Sequence, residues 1–461
     1  MSLPDAPVAA RPARRRRHAA DPAADPAAAQ AADPNGAPLA RHRVVAVLVT
    51  HDGARWLPEV LAGLASQQRP PDELVVVDTG STDRTGQLLA GRPQPSRLVE
   101  LSRHVGFGAA VAAAAATVPA AATVPAAVPP PAHVAEWLWL LHDDSAPAPD
   151  ALLRLLEAAE AMPSAAVLGP KLRGWYDRGQ LLEVGVTVAA SGRRETGLER
   201  RERDQGQRDG VHDVLAVSTA GMLVRRDVWD ELGGLDPWLP LFRDDVDFGW
   251  RANLAGHRVV CVTDAVLYHA EAAAQERRRL AAVPDRPHLV DRRHALYLLL
   301  AHAPGRRLPW VAGRLLLATV VRALGYLVGK LPGLAWDEVR AGAWICAHPL
   351  RLAAARRARR RTRVLPPAAV RRLLAPPGVG LRLALEALAG AVTAGPATTE
   401  TGGRHALDTG PTAEEVEDLD AGPGLAARVL RHPGVLLAAG LLAVTGVAGR
   451  HLLGGGRLVG G

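Results

Sequence analysis

The chain has 461 residues, a formal net charge of +8 and a pI of about 10.3, and its length allows two or three domains. Nearly all positive charges are arginines, since Lys171 and Lys330 are the only lysines, and with 45 glycines and 37 prolines this indicates a GC-rich coding bias. We therefore expect no nucleic-acid partner, because a membrane surface or phosphorylated substrates explain the basicity equally well. Cys261 and Cys346 exclude a disulfide framework.

The N-terminal segment, residues 1–42, is rich in Ala, Pro, Asp and Arg and contains four consecutive arginines at 14–17. No apolar segment follows these arginines, so the segment is not a secretory signal. We expect it to be a disordered basic tail, since it has too little apolar surface to bury.

The first half of the chain alternates strand and helix patterns. Residues 44–50 form a β-branched run typical of a buried strand, and helical spacing follows over 56–66. A second buried strand is predicted at 74–77, a helix from Thr85, and a third strand at 97–101. This order predicts parallel strands joined by crossover helices.

A short apolar run at 137–141 ends abruptly in His142, Asp143 and Asp144. Adjacent carboxylates at the end of a buried strand are costly to hold together unless a cation joins them, and ligands of open α/β sheets bind at that edge. We expect a divalent ion such as Mg²⁺ or Mn²⁺ there. Taken alone, an acidic turn before a helix capped by Asp150 explains the stretch too.

Other segments around this run are less regular. Prolines interrupt the Ala/Val/Pro stretch at 112–131, which predicts a surface insertion and no single regular element. Further strands are predicted at 166–169, 181–188 and 211–217. The Arg/Glu-rich loop at 193–209 is predicted to be solvated, unless it closes over a ligand.

A second acidic cluster contains Asp244, Asp245 and Asp247, just before residues with helical spacing. Asp247 falls in the predicted first turn, where a negative charge is favoured, and we interpret it as structural. Asp244 and Asp245 precede the helix and are free for chemistry. A strand at 258–262 leads towards His269, whose place at a strand end makes it a candidate ligand.

The remaining chain, from residue 276, is predicted to be a helical region to residue 365, a linker over 366–430 and a candidate transmembrane helix at 431–451. The Gly-rich ending suggests that a longer membrane region follows in related proteins.

Within the helical region, the predicted helix at 308–331 carries Arg314 and Arg322, which are costly at a bilayer centre. We interpret this helix as packed or interfacial. The basic helix at 356–363 would lie among anionic head groups if it were near a membrane.

Motifs in a defined order resemble glycosyltransferase family 2, in particular membrane-associated actinobacterial members. The matching stretches are VVAVLVTHDGARWLPEVLAGLASQ, ELVVVDTGSTDRT, WLWLLHDDSAPAPDAL and STAGMLVRRDVWDELGGLDPWLPLFRDDVDFGWRANLAGHRV. The resemblance implies an α/β GT-A fold over residues 43–275, Rossmann-like, with a mostly parallel sheet and flanking helices, followed by a helical, membrane-associated C-terminal region.

The resemblance also implies roles for individual residues. Asp245 would be the general base for the acceptor hydroxyl, with Asp244 beside it. Asp144 and His269 would bind the metal, and Asp143 would lie on the donor sugar or ribose side. The nucleotide would be bordered by seven residues: Thr50, His51, Asp52, Arg55, Asp78, Ser81 and Asp83.

The resemblance is imperfect at two positions. His142 stands where the family has the first Asp of its DXD motif, and Asp244 stands where the family has Glu. Gly221, in the segment TAGM, would leave room near the acceptor.

Together these features predict a metal-dependent, inverting glycosyltransferase at the cell membrane, with its catalytic domain facing the cytoplasm. It would transfer sugar from a nucleotide-sugar donor to a cell-envelope glycan or a lipid-linked acceptor. One alternative is a nucleotidyltransferase, although no Gly-rich, Lys-bearing phosphate loop follows the first strand. The other is an inactive nucleotide-sugar-binding or membrane scaffold protein, which the departure at His142 keeps open.

Overall fold

A computed structural model describes residues 42–90, 97–118, 135–199, 201–272 and 285–376. The strands are β1 (His42–Thr50), β2 (Glu73–Asp78), β3 (Arg97–Glu100), β4 (Ala135–His142), β5 (Ser145–Pro147), β6 (Ala165–Gly174), β7 (Leu181–Glu183), β8 (Thr187–Val188), β9 (Arg194–Glu195), β10 (Val211–Asp213), β11 (Leu223–Arg225) and β12 (Arg258–His269). The helices are α1 (Leu57–Ala65), α2 (Thr85–Ala90), α3 (Phe107–Thr117), α4 (Ala151–Ala161), α5 (Arg226–Leu232), α6 (Asp244–Ala255), α7 (Pro287–His302), α8 (Leu308–Val328), α9 (Pro332–Ala347) and α10 (Pro349–Thr362).

Ten strands form one sheet, in the order β10-β12-β6-β11-β4-β1-β2-β3, with β5 paired to β12 and β7 to β6. Strands β4, β1, β2 and β3 are parallel, as their alternation with helices predicts. Strand β6 is parallel to β12, but β11 runs antiparallel between β4 and β6. The sheet is therefore mixed: six strands, β1, β2, β3, β4, β6 and β12, share one direction, while the short strands β5, β7, β10 and β11 pair antiparallel to them.

The apolar core lies against the centre of this sheet. Both faces of β1 and β4 are covered, which explains why their sequences are nearly continuous apolar runs. Helix α3 packs on β1 and β2 through Ala110, Val111 and Ala114. Residues 112–117 thus belong to a buried helix, so the predicted insertion cannot begin at residue 112. Its part at 119–131 lies outside the described residues.

Helix α6 begins earlier than the sequence pattern indicates. Its N-cap, Arg243, has a left-handed conformation with φ of 62°, and its buried guanidinium binds Asp291 and the carbonyl of Gly192. These contacts fix the helix start at Asp244. Asp244 and Asp245 therefore lie in the first turn, not before the helix, where the N-terminal end of the helix dipole favours their charge.

Helices α7 to α10 pack against one another and contact the sheet-bearing part of the chain through α6. The 3₁₀ turn Gly305–Arg307 precedes α8, and a further 3₁₀ turn, Ala369–Leu373, packs back on α6. Val370 in that turn is buried, so the predicted linker is packed where it begins. The tail at 1–41 and the candidate membrane helix at 431–451 lie outside the described residues.

Helix α8 has two different faces. Its two internal arginines turn towards the protein, where Arg314 donates to the carbonyl of Ala190 and Arg322 to Glu338. The exposed apolar side chains of this helix are Trp310, Leu316, Leu317, Val320, Val321, Leu324, Leu327 and Val328. The Arg314 guanidinium lies 5.6 Å from the centroid of the Trp310 ring, beside the first of them. Residues 305–328, with a mean hydropathy of 1.6 and 17% burial, are the one helical segment in the described part of the chain that is long and apolar enough to cross a membrane.

Candidate active site

A cavity lies at the carboxyl ends of β1 and β4, closed on one side by the start of α6. Strands β1 and β4 are adjacent and parallel, so their ends deliver side chains to the same edge. Seven of the twelve predicted site residues line this cavity: Thr50, His51, Asp143, Asp144, Asp244, Asp245 and His269. The structure therefore brings together residues that are more than two hundred positions apart in the chain, such as Thr50 and His269.

Four other predicted residues form the turns that border the cavity. The Thr50 hydroxyl donates to Asp78 Oδ1 at 3.0 Å, and the amide of Asp52 donates to the Ser81 hydroxyl at 2.9 Å. Asp83 Oδ2 accepts the amide of Ala54. These contacts tie the end of β1 to the turn after β2, which makes the predicted nucleotide border a rigid edge.

Arg103, which the sequence analysis does not single out, joins this border and lines the cavity. Its Nη2 lies 2.7 Å from Asp52 Oδ2. Although burial opposes the shift, Arg103 and the amide of Thr82 hold the pKa of Asp52 far below its usual range. Arg55, by contrast, lies over the rings of Trp56 and Tyr176 and outside the cavity lining.

Asp143 fixes the turn that follows β1. Its Oδ2 accepts the amide of His51 at 2.8 Å, and its side chain is almost fully buried. Gly53 lies so close that a Cβ there would be 2.1 Å from Asp143 Oδ2. Only glycine fits at that position, so Gly53 is what allows the turn after β1 to lie this close to the end of β4.

Three side chains offer a set of metal ligands. One ligand atom each from His142, Asp144 and His269 lies within 4.8 Å of the others. His269 Nε2 is 3.4 Å from Asp144 Oδ1, and His142 Nδ1 is 3.9 Å from that oxygen. Burial lowers the pKa of His269, but the charge of Asp144 outweighs it and the net pKa is raised. His142, which stands where the family has the first Asp of its DXD motif, thus belongs to the cluster of potential metal ligands.

The two carboxylates at the start of α6 differ in their surroundings. Asp245 Oδ2 lies 2.7 Å from Arg194 Nη2, and the same guanidinium contacts Glu183 at 2.6 and 2.9 Å. Asp244 has no such ion pair among the described residues, and burial together with the charge of Asp245 raises its pKa to about 7. Asp244 therefore takes up a proton near neutral pH, and it does so beside a carboxylate that is held by an arginine.

Arg194 does not fit the solvated interpretation of its loop, but it agrees with the alternative of a loop beside a ligand pocket. This residue belongs to the predicted solvated loop, but the small hairpin of β8 and β9 brings it into the cavity lining. Its guanidinium, held between two carboxylates, has a raised pKa although burial opposes the shift. No local pattern distinguishes it from the other arginines of that loop, so sequence reasoning misses it.

Two residues near the acidic clusters have structural roles. Gly221 has a φ of 107°, and a Cβ there would meet Pro170 and Leu267 at 2.7 and 2.8 Å. The space at Gly221 is filled by the core, so the prediction that it leaves room for an acceptor is wrong. Asp247 is fully buried and binds Arg251, His302 and Arg359, which agrees with its structural interpretation.

Known proteins resemble this chain over the same region. A family model described as glycosyltransferase like family 2 matches residues 42–284, just over half of the chain. The N-acetylglucosaminyl-diphospho-decaprenol L-rhamnosyltransferase of Mycobacterium tuberculosis is 28% identical over 273 residues, covering 55% of this chain and 83% of that protein. Galactofuranosyltransferase GlfT1 of Mycolicibacterium smegmatis is 27% identical over 226 residues, covering 49% and 70% respectively. The solved mannosyltransferase PcManGT from Pyrobaculum calidifontis, in complex with GDP-Man and Mn²⁺, has a TM-score of 0.36 at 20% identity, covering 74% of this chain and 80% of that one.

Proposed function

The chain belongs to glycosyltransferase-like family 2 and is a glycosyltransferase, and we propose that it transfers a sugar from a nucleotide-sugar donor to a lipid-linked or cell-envelope acceptor, with inversion and with a divalent ion. One observation carries the proposal: the three potential metal ligands and the buried carboxylates of Asp244 and Asp245 line the same cavity at the strand ends. The names of the relatives support the acceptor class, since one is named for a diphospho-decaprenol sugar. Within this proposal the mixed sheet is a GT-A fold.

The cluster fits a divalent ion by the chemistry of its donors. His142, Asp144 and His269 would hold the ion through two imidazole nitrogens and a carboxylate oxygen. The carboxylate oxygen suits Mn²⁺, and the two imidazole nitrogens favour a transition-metal ion over Mg²⁺, which prefers oxygen ligands. When bound, the ion would offset the negative charge that develops on the nucleoside diphosphate as it leaves.

The donor would lie along the edge formed by the ends of β1 and β4. Thr50, His51 and Asp143 line the cavity there, and the turn of Asp78, Ser81 and Asp83 would contact the base or ribose. Arg103 adds a cation to the same wall. A guanidinium matches phosphate oxygens in charge and geometry, so Arg103 would orient the diphosphate.

The acceptor hydroxyl would lose its proton to Asp245. Arg194 lies 2.7 Å from Asp245 and fixes the orientation of its carboxylate. Asp244 is neutral below about pH 7 and adds a second negative charge beside the proposed base above that pH. A single base suffices for one in-line displacement, which inverts the anomeric centre and needs no covalent nucleophile.

The helical layer would hold the enzyme against the cytoplasmic face of the cell membrane. The exposed face of α8 is apolar from Leu316 to Val328, while Arg314, beside Trp310 near the helix start, and Arg322 donate hydrogen bonds to the protein. Such a helix can insert one face among lipids without burying a charge. This arrangement supports an interfacial position, which would bring the cavity close to a lipid-linked acceptor.

The test is hydrolysis and transfer by the purified full chain with a panel of sugar nucleotides and Mn²⁺. We expect turnover with one donor class, and its loss in Asp144→Ala and Asp245→Asn. Asp264→Asn is the matched control, because Asp264 is an exposed carboxylate of β12 outside the cavity lining. Binding of a sugar nucleotide without turnover on any donor would contradict the proposal and favour the inactive scaffold.

A further inference from the structure

A second cavity of about 450 Å³ lies where the end of α6 meets the turn Gly305–Arg307 and helix α10. It shares no lining residue with the candidate active site. Six arginines contribute to its lining: Arg306, Arg307, Arg356, Arg359, Arg360 and Arg363. None of the described lining residues is Asp or Glu, so the cavity wall is strongly positive.

One of the six arginines belongs to the protein's own framework. The side chain of Arg359 is only 7% exposed and contacts Asp236 Oδ2 at 2.7 Å and Asp247 Oδ1 at 2.5 Å. His302, beside it, is kept neutral because burial lowers its pKa to about 4. These contacts neutralise the floor of the cavity and hold it rigidly against α6.

The other five arginines form no ion pair within the described part of the chain. Arg356 donates a hydrogen bond to the carbonyl of Leu300, which leaves its charge without a carboxylate partner among the described residues. Arg360 Nη2 lies against the turn, 3.3 Å from where a Cβ on Gly305 would be. Burial and the nearby charge of Arg360 lower the pKa of Arg356. Like charges gathered around one cavity repel each other, and an anion between them would remove that repulsion.

We propose that this cavity binds a phosphate or diphosphate group outside the active site. Guanidinium groups arranged around a concave surface match the oxygens of phosphate through paired hydrogen bonds. The cavity is large enough for a diphosphate, and its floor is already fixed by Arg359. The proposal concerns binding alone and does not depend on sugar transfer.

The position of the cavity indicates two sources for the phosphate. Arg306 and Arg307 directly precede α8, whose exposed apolar face begins at Trp310. A lipid whose chains contact α8 would therefore carry its phosphate at the level of the cavity. A soluble phosphate compound would meet the same arginines from the solvent side.

The test measures binding of inorganic pyrophosphate to the full chain by calorimetry, without divalent ions. The double variant Arg306→Gln/Arg360→Gln removes two cavity arginines, and Arg357→Gln/Arg361→Gln removes equal charge from exposed positions of α10 outside the lining. We expect binding about tenfold weaker in the first and within about twofold of wild type in the second. Equal weakening in both variants, no change in the first, or no binding by the wild type would overturn the proposal.

A second arm identifies the source. Wild type is sedimented with vesicles of phosphatidylcholine, with and without phosphatidylglycerol, and pyrophosphate is then added. If the site takes a lipid head group, pyrophosphate releases wild type from the anionic vesicles and the cavity variant binds them more weakly than the control. If vesicle binding is unchanged while pyrophosphate binding still requires Arg306 and Arg360, the site takes a soluble phosphate. Thermal unfolding of both double variants checks that they fold.

Discussion

Arg194 and Asp245 form an ion pair of 2.7 Å across 51 positions of the chain. The arginine comes from a surface hairpin, and the aspartate comes from the first turn of α6. The pair links the hairpin of β8 and β9 to the carboxylate that is proposed as the base. The orientation of that base thus depends on a residue outside every recognisable motif.

Replacing Arg194 with Gln should lower kcat of sugar transfer about 100-fold, with a smaller effect on KM for the donor, because Asp245 loses the group that orients it. Steady-state kinetics with varied donor and acceptor measure this. Arg193→Gln is the control, since Arg193 is an exposed arginine of the same hairpin that pairs with Glu195. Equal losses of kcat in both variants would show that the hairpin depends on its total charge and that Arg194 has no specific role in orienting Asp245.

Asp244→Asn should flatten the pH dependence of transfer. In the wild type, deprotonation of Asp244 near its pKa of about 7 adds a negative charge beside the acceptor hydroxyl's proposed base and favours removal of the proton, so kcat should rise between pH 6 and pH 8. Without that titration the rise should disappear. If kcat of Asp244→Asn still rises between pH 6 and pH 8 as in the wild type, the titration of Asp244 does not cause that rise.

The same substitution should stabilise the fold at high pH. The pKa of Asp244 is raised in the folded protein, so folding becomes less favourable as pH rises from about 4 through 7 and the buried group ionises. Asp244→Asn should therefore increase the free energy of unfolding by about 2 kcal/mol at pH 8 and much less at pH 5. Thermal unfolding at the two pH values measures the difference, and a larger gain at pH 5 would contradict it.

His142→Ala should weaken Mn²⁺ binding at least about tenfold, because the site loses one of three ligands. The electron paramagnetic resonance signal of free Mn²⁺ reports this without turnover. His142→Asp should restore binding and increase competition by Mg²⁺, since it replaces a nitrogen ligand with oxygen. His212→Ala, at an exposed histidine of β10, is the control. Unchanged Mn²⁺ affinity in His142→Ala would remove His142 from the ligand set.

Leu317→Glu/Leu324→Glu should reduce sedimentation with anionic vesicles at least about tenfold, because both side chains lie on the exposed face of α8. The control is Leu98→Glu/Val211→Glu, which changes two exposed apolar residues on β3 and β10, outside the helical layer. If the α8 variant sediments like wild type, another segment anchors the chain and the interfacial role of α8 is wrong.

Asp247→Asn should destabilise the fold by about 3–5 kcal/mol, because Arg251 and Arg359 would keep buried charges without their carboxylate. Asp264→Asn, at an exposed position, should change the free energy of unfolding by less than about 0.5 kcal/mol. Chemical denaturation measures both. A decrease of less than about 1 kcal/mol in the free energy of unfolding of Asp247→Asn would mean that the ion pairs of Asp247 contribute little to holding α6 and α10 together.

The sequence predicts the parallel half of the sheet and the strand-end motifs correctly. Strands β1, β2 and β4 are apolar on both faces, and that local pattern is sufficient to identify them. Because parallel strands deliver their ends to one edge, the convergence of Thr50 and Asp144 follows from the order of elements. Family 2 membership was likewise visible in the order of the motifs, and the family match confirms it.

The sequence alone does not determine which charged residues meet. Arg194 and Arg103 are indistinguishable from the many solvated arginines of this chain by composition or spacing. The basic stretch 356–363 stands out in the sequence, but its pattern does not show that its arginines meet Arg306 and Arg307 at one cavity. Their roles depend on ion pairs and cavities formed between distant elements, and such pairing carries no periodic signal. The mixed sheet has the same cause, since short strands such as β11 are defined by their neighbours. Local patterning thus determined the edge where the site lies, and tertiary packing decided which side chains complete it.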